Sequence, residues 1–416
     1  MLGASLPKVF YCHKGIQMKR FIALLAATML LTGCFSEVQP LQETAEINVT
    51  SEAAVVTVQT EQQAAPVISA DYAPDMFCDY SAGRVEAPAY DKYIAKADEF
   101  LVQEDFQGAV LVAKGEDIIY AAGYGYADEV NGTRCTARDT FEIGSISKQM
   151  TAAAILQLCE QGRLSLYDTL HKFFPEYEHG RNITIKNLLQ MRSGLYDFLN
   201  NAGDFFPADF EEEFLERADA PDQSTPDFPR DFLLEYLYTS PLEGTPDDHY
   251  YYCNTNYYLL GLIIEQVTGM TYQQYMSEQI FEPCGMLTAN NEFRCTTARG
   301  YYADGTTMSM RTSTALGCGS VNASVYDLYQ WYMHLLDYNI IENRTLRAML
   351  TPVETYGFGI HYDDGLAYHV GNTDVFNAFA MVDVQDEFIV IALTNSPKNE
   401  RVASGYAGKL FELYYE

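Results

Sequence analysis

The chain has 416 residues, 48% of them apolar and 13% aromatic, with a formal charge of −31. That is enough chain for one large domain or two, each with its own core. The acidity and the absence of a clustered Lys/Arg stripe exclude a nucleic-acid-binding protein, which needs cations for phosphate.

The N-terminus reads as a targeting segment. Lys14, Lys19 and Arg20 precede an apolar run over residues 21–31, followed by Leu31-Thr32-Gly33-Cys34. The run is too short to span a bilayer comfortably and has the form of a signal-peptide core. A Cys preceded by small residues resembles the lipobox of bacterial lipoproteins. The resemblance implies a signal peptide over 1–33, lipidation of Cys34, and an exported protein anchored to the membrane or envelope of a bacterium. Residues 34–88, rich in Glu, Gln, Thr, Ala, Val and Pro without a sustained period, are expected to be a disordered tether. Seven cysteines remain beyond Cys12 and Cys34, an odd number. Export permits disulfides, and Cys284 and Cys295 are close enough to pair. No Cys or His spacing suggests a metal site, and no cofactor is expected.

Order is expected from residue 89 to the C-terminus. Tyr93, Ile94, Ala97, Phe100 and Leu101 recur at helical spacing. Two apolar runs, 108–113 and 118–123, flank Lys114-Gly115-Glu116-Asp117 as a hairpin. After Thr140-Phe141-Glu142-Ile143-Gly144 a helix begins at Ser145-Ile146-Ser147-Lys148. It is apolar nearly all round from Met150 to Leu158, so it should be buried. A helix is expected over 183–192, then an acidic, Phe- and Pro-rich stretch over 197–248. Helices follow over 254–267, after Thr271 with Gln274 as a capping box, and after Ser324 with Asp327. Strands return over 356–362, 366–370, 376–384 and 388–394, before a helix over 401–414. Strands at both ends and helices between them predict an α+β fold. One antiparallel sheet is built from both chain ends, with a helical insertion at about 176–300.

Three motifs carry chemistry: Ser145-Ile146-Ser147-Lys148, Tyr252-Cys253-Asn254 and His369-Val370-Gly371. Ser145 at a helix start is a candidate nucleophile, and Lys148, three residues on, shares its helical face. A serine hydroxyl needs a base. Lys148 and Tyr252 are the candidates, each requiring its pKa to move about three units to act at neutrality. Burial would favour neutral Lys148, and adjacent cations a Tyr252 phenolate; the sequence leaves both open. Asn254 can serve as a helix N-cap or bond to Lys148. His369 is a group only partly charged near neutrality.

From about Tyr90 onward the chain resembles the serine β-lactamase and penicillin-binding protein superfamily, in its class C-like branch of β-lactamases, DD-carboxypeptidases and related esterases. Besides the three motifs, Gly162-Arg163-Leu164-Ser165-Leu166, Ser193-Gly194-Leu195 and the run from Asn254 to Gly261 carry the likeness. The resemblance implies an antiparallel sheet beside an all-α region, with the site between them. Ser145, Lys148, Tyr252, Asn254 and His369 are then the catalytic set. The backbone N–H groups of Ser145 and Asn372, on the strand edge with Gly371, form an oxyanion hole. It implies no metal and no cofactor, and an acyl-enzyme on Ser145 formed from a small peptide, ester or β-lactam. A D-Ala-D-Ala peptide cleaved by a DD-carboxypeptidase or endopeptidase is the leading expectation. An esterase, a β-lactamase and a non-catalytic binder of cell-wall fragments are the alternatives. The chain departs from the family at Asn372-Thr373-Asp374-Val375-Phe376, at Tyr368 and at Gly317-Cys318-Gly319-Ser320, which leaves substrate choice open.

Overall fold

The computed structural model describes residues 83–200, 230–292, 295–302, 305–307, 314–373, 375–396 and 402–416. The expected leader, Cys34, the tether up to residue 82 and much of the acidic stretch lie outside the described residues. Among the described residues no helix is long and apolar enough to cross a membrane.

In chain order, strand β1 (Val85–Glu86) precedes helix α1 (Asp91–Gln103), and β2 (Gly108–Lys114) and β3 (Asp117–Tyr124) form a hairpin. A two-stranded ribbon of β4 (Tyr126–Asp128) and β5 (Thr133–Arg134) follows, then β6 (Phe141–Glu142). The helical region holds α2 (Ser147–Glu160), α3 (Ile185–Leu189), α4 (Arg230–Thr239), α5 (Asn254–Thr268) and α6 (Tyr272–Met276). Strand β7 (Asn322–Ala323) pairs with β6, and α7 (Val325–Leu336) and α8 (Asn343–Met349) come next. The chain ends with β8 (His361–Asp363), β9 (Leu366–Asn372), β10 (Asn377–Asp383), β11 (Phe388–Thr394) and α9 (Ala403–Tyr415).

The main sheet has the order β1-β3-β2-β11-β10-β9-β8, and each neighbouring pair is antiparallel. Strands from the two chain ends meet at β2 and β11, in register from Gly108 with Thr394 to Lys114 with Phe388. Every residue of β11 is buried, because helices cover both faces of the sheet. Alternation sorts its side chains. Phe388, Val390 and Ala392 enter the layer under α1 and α9, whereas Ile389, Ile391 and Leu393 join the core shared with the helical region. In the outer layer the Tyr93 hydroxyl donates to the Leu410 carbonyl across α1 and α9 at 3.1 Å.

Most expected elements are present, and the differences have local causes. The sheet starts inside the expected tether, where β1 pairs with β3 and Arg84 donates to Asp98. The helix expected over 183–192 shrinks to α3, opened by a capping box between Thr184 and Asn187; Met191 at φ +56° stops it. Thr271 caps α6, but only half of the expected box forms, because the Gln274 side chain turns to Glu278. The Ser324–Asp327 box is complete. The strand expected over 356–362 is reduced to β8. Gly357 N–H donates to the Ile360 carbonyl at 2.8 Å, so 357–360 is a tight turn. Cys284 and Cys295 are both free thiols, and Cys295 points its sulfur at Glu292 instead.

Candidate active site

Two glycines bring the site together. Gly144 opens the 3-10 turn Gly144–Ile146 at φ +50°, in the left-handed region that favours glycine. A Cβ there would stand 2.8 Å from the Asn372 backbone nitrogen. On the facing strand β9, a Cβ on Gly371 would fall 1.9 Å from the Ile143 carbonyl oxygen. Backbone therefore lies directly on backbone, and the Asn372 N–H sits beside the turn that carries Ser145. That turn runs straight into α2, so Ser145 precedes a helix that presents free N–H groups. The Ser147 hydroxyl closes the turn by donating to the Gly144 carbonyl at 2.6 Å.

Lys148, one residue into α2, is fully buried. Its Nζ lies 2.8 Å from Ser145 Oγ, 2.8 Å from Asn254 Oδ1 and 2.7 Å from the Cys318 carbonyl. Burial brings Lys148 down from its ordinary value to about 8, while Asp197 opposes that shift. Tyr252 is half-buried and its hydroxyl hydrogen-bonds Ser145. Its ring centroid is 5.0 Å from Lys148 Nζ. Burial pushes the Tyr252 phenol well above its usual range. Asn254 is the first residue of α5 and not its N-cap, a position held by Cys253. Its side chain is thereby free to accept from Lys148.

His369 occupies the same face of β9 as Gly371, and only 2% of it is exposed. Nδ1 lies 2.6 Å from the Val370 carbonyl, and Nε2 lies 3.0 Å from the Tyr356 hydroxyl. A carbonyl only accepts, so Nδ1 carries the proton and Nε2 accepts from Tyr356. Burial, reinforced by the neighbouring His361 and Lys148, holds His369 well below the usual imidazole range. The partial charge expected of this group near neutrality is therefore absent: His369 is a neutral, doubly bonded ring.

Four contributors carry no motif. Asp197 accepts from both the backbone and the side-chain nitrogen of Asn254. Tyr356 holds His369. The Cys318 carbonyl takes the third Lys148 bond, and a carbonyl has no sequence signature. Arg192 reaches Asp247 at 3.1 Å and Glu354 at 2.9 Å, and Glu354 also accepts from Tyr250 N–H at 3.1 Å. That cluster ties the segment entering Tyr252 to the loop bearing Tyr356. The sequence marks two of these places: Asp197 closely follows the family-like Ser193-Gly194-Leu195, and Cys318 lies in Gly317-Cys318-Gly319-Ser320, where the chain departs from the family.

A family model described as beta-lactamase matches residues 91–412. A putative penicillin-binding protein, PbpX of Bacillus subtilis (strain 168), is 28% identical over 328 residues, covering 76% of this chain and 78% of its own. An octameric penicillin-binding protein homologue from Pyrococcus abyssi superposes with a TM-score of 0.64 at 24% identity, covering 78% of this chain and 77% of that one. A D-amino acid amidase from Ochrobactrum anthropi superposes with a TM-score of 0.63 at 18% identity, covering 78% of this chain and 98% of that one. With the family model spanning every strand of the sheet but β1, the helical region and all three motifs, the chain belongs to the beta-lactamase family, and it is a serine hydrolase of the β-lactamase and penicillin-binding protein superfamily.

Proposed function

We propose that this hydrolase forms an acyl-enzyme on Ser145 with D-Ala-D-Ala-type peptides, as a penicillin-binding DD-peptidase held at a bacterial envelope by lipid on Cys34. The observation that carries the chemistry is the buried Lys148 amine 2.8 Å from Ser145 Oγ. Neutral Lys148 takes the Ser145 proton as Oγ attacks the acyl carbonyl. The oxyanion is received by the N–H groups of Ser145 and Asn372. Tyr252, a phenol and not a phenolate, gives its proton to the leaving nitrogen and is reprotonated from Lys148. Water then enters by the same route in reverse and releases the acid.

Incubation with benzylpenicillin followed by intact-mass analysis tests this reading, with Ser145→Ala as control. A lasting adduct absent from the variant is the expected result. Rapid loss of the adduct with drug consumption would make the protein a β-lactamase. No adduct with penicillin or with activated esters would leave only a non-catalytic binder.

The choice of base predicts a pH profile. With Lys148 near 8, the second-order acylation rate should rise with pH and level off above about 8, since only the neutral amine accepts a proton. A rate still climbing past 10 would transfer the role to a Tyr252 phenolate, whose reference pKa is about 10.

His369 favours a second reading. A buried, neutral ring offers no charge for a free α-carboxylate, which supports acyl donors with an uncharged leaving side, such as amides, esters or internal peptide bonds. Turnover of a D-Ala-D-Ala peptide against its C-terminal amide separates the two, with preference for the amide expected on this reading.

A further inference from the structure

We propose that Asp197 is a positioning residue for acyl transfer, fixing the Asn254 amide that holds Lys148 and supplying the counter-charge for the ammonium formed when Lys148 takes the Ser145 proton. The inference rests on the acyl-enzyme reading above, with Lys148 as base.

Asp197 is 1% exposed. Its Oδ2 accepts from Asn254 N at 3.0 Å, Asn254 Nδ2 at 3.1 Å and Asn200 Nδ2 at 2.9 Å. Its Oδ1 accepts from Leu199 N at 3.0 Å and Asn200 N at 3.3 Å. All five partners are donors. Burial alone raises this carboxyl, but a protonated acid would aim its O–H at groups with nothing to accept it. The ionised form is the one the surroundings fit.

The first consequence concerns the amide. With Nδ2 bound to the carboxylate, Asn254 must turn Oδ1 toward Lys148, where it accepts at 2.8 Å. The reversed amide would point N–H groups at an ammonium. The second concerns charge. The groups facing Lys148 are Asp197, the Cys253 and Cys318 thiols, the Tyr252 and Tyr257 rings and His369. Burial keeps both thiols protonated and His369 neutral. Asp197 is then the one member of this group charged near neutrality. It also sits at the first turn of α5, where an anion complements the helix dipole.

The test is the second-order rate of Ser145 acylation by benzylpenicillin across pH. Wild type is compared with Asp197→Asn, and both again on an Asn254→Ala background. Rates are taken per acylatable molecule, counted at saturation. Asp197→Asn is expected to slow acylation by about 10- to 100-fold. It should also move the acid limb about one pH unit lower, because Lys148 loses a neighbouring anion. On the Asn254→Ala background the same change should cost a smaller factor than on wild type, since the amide is gone and only the counter-charge is left to remove. If Asp197→Asn does not fold, Asp197→Ser, smaller and still an acceptor for Asn254, carries the same test through the acid limb. Equal losses on both backgrounds, or an acid limb that stays in place, would overturn the proposal and leave Asp197 a holder of the 197–200 turn. Absence of any adduct on wild type would overturn the acyl-enzyme reading and this proposal with it.

Discussion

Lys148→Met is expected to slow acylation of Ser145 by about 100- to 10,000-fold, the usual contribution of a positioned base, while leaving the fold nearly as stable as before. The activity loss follows from geometry, because Nζ is the strongest proton acceptor within reach of Ser145 Oγ and Tyr252 remains a phenol. The near-neutral stability follows from two opposing terms. A lysine brought from 10.5 to about 8 by burial costs the native state roughly 3 kcal/mol whenever both folded and unfolded forms are protonated. Methionine, of similar length and apolar, removes that cost. It also strands the Asn254 amide oxygen and the Cys318 carbonyl, at about 1–3 kcal/mol each. The terms cancel to within about 3 kcal/mol, or several degrees in melting temperature.

The sign of the linkage adds a second readout. The lysine penalty is fully present below pH 8 and is relieved between about 8 and 10.5, where the unfolded chain binds the proton and the folded one does not. Wild type should therefore gain stability relative to Lys148→Met across that window. Parallel denaturation curves at several pH values check this. A variant that still acylates within about tenfold of wild type would remove Lys148 from the role of base.

The parts of this molecule legible in the sequence are those that act through local periodicity or a fixed offset. The hairpin of β2 and β3 and the all-buried β11 follow from apolar runs bounded by turns. Ser145 and Lys148 share a face because three residues is nearly one helical turn. The Ser324 cap with Asp327 was readable for the same reason. What escaped acts at a distance. Asp197 is 57 residues from Asn254, and the Cys318 carbonyl is 170 residues from Lys148. The neighbouring motifs mark where these residues lie, but nothing nearby in the chain implies the pairing. The charge state of His369 is set by burial against Tyr356 and His361, a tertiary fact that the residue type does not carry. The expected strand over 356–362 failed on a turn between Gly357 and Ile360, where a run of β-formers conceals two glycines.

Gly371→Ala should damage both rate and stability, in contrast to Lys148→Met. The added Cβ would lie 1.9 Å from the Ile143 carbonyl oxygen, a backbone atom with no rotamer to escape into. That carbonyl accepts from Ile146 N–H at 3.3 Å and so closes the turn on which Ser145 sits. On the other side β9 is locked to β10 by a continuous antiparallel register from Leu366 to Asn372. Neither surface can yield alone, so the strand edge and the turn must separate. The methyl group overpacks a tight contact at a cost of about 1–3 kcal/mol. The separation carries the Asn372 N–H away from the Ser145 N–H, and the loss of one oxyanion donor costs about 100- to 1,000-fold in the chemical step. Acylation rate and thermal melting on the same preparation measure both effects. A Gly371→Ala protein that acylates at the wild-type rate would mean that the β9 edge does not receive the oxyanion. The glycine of His369-Val370-Gly371 would then serve packing alone.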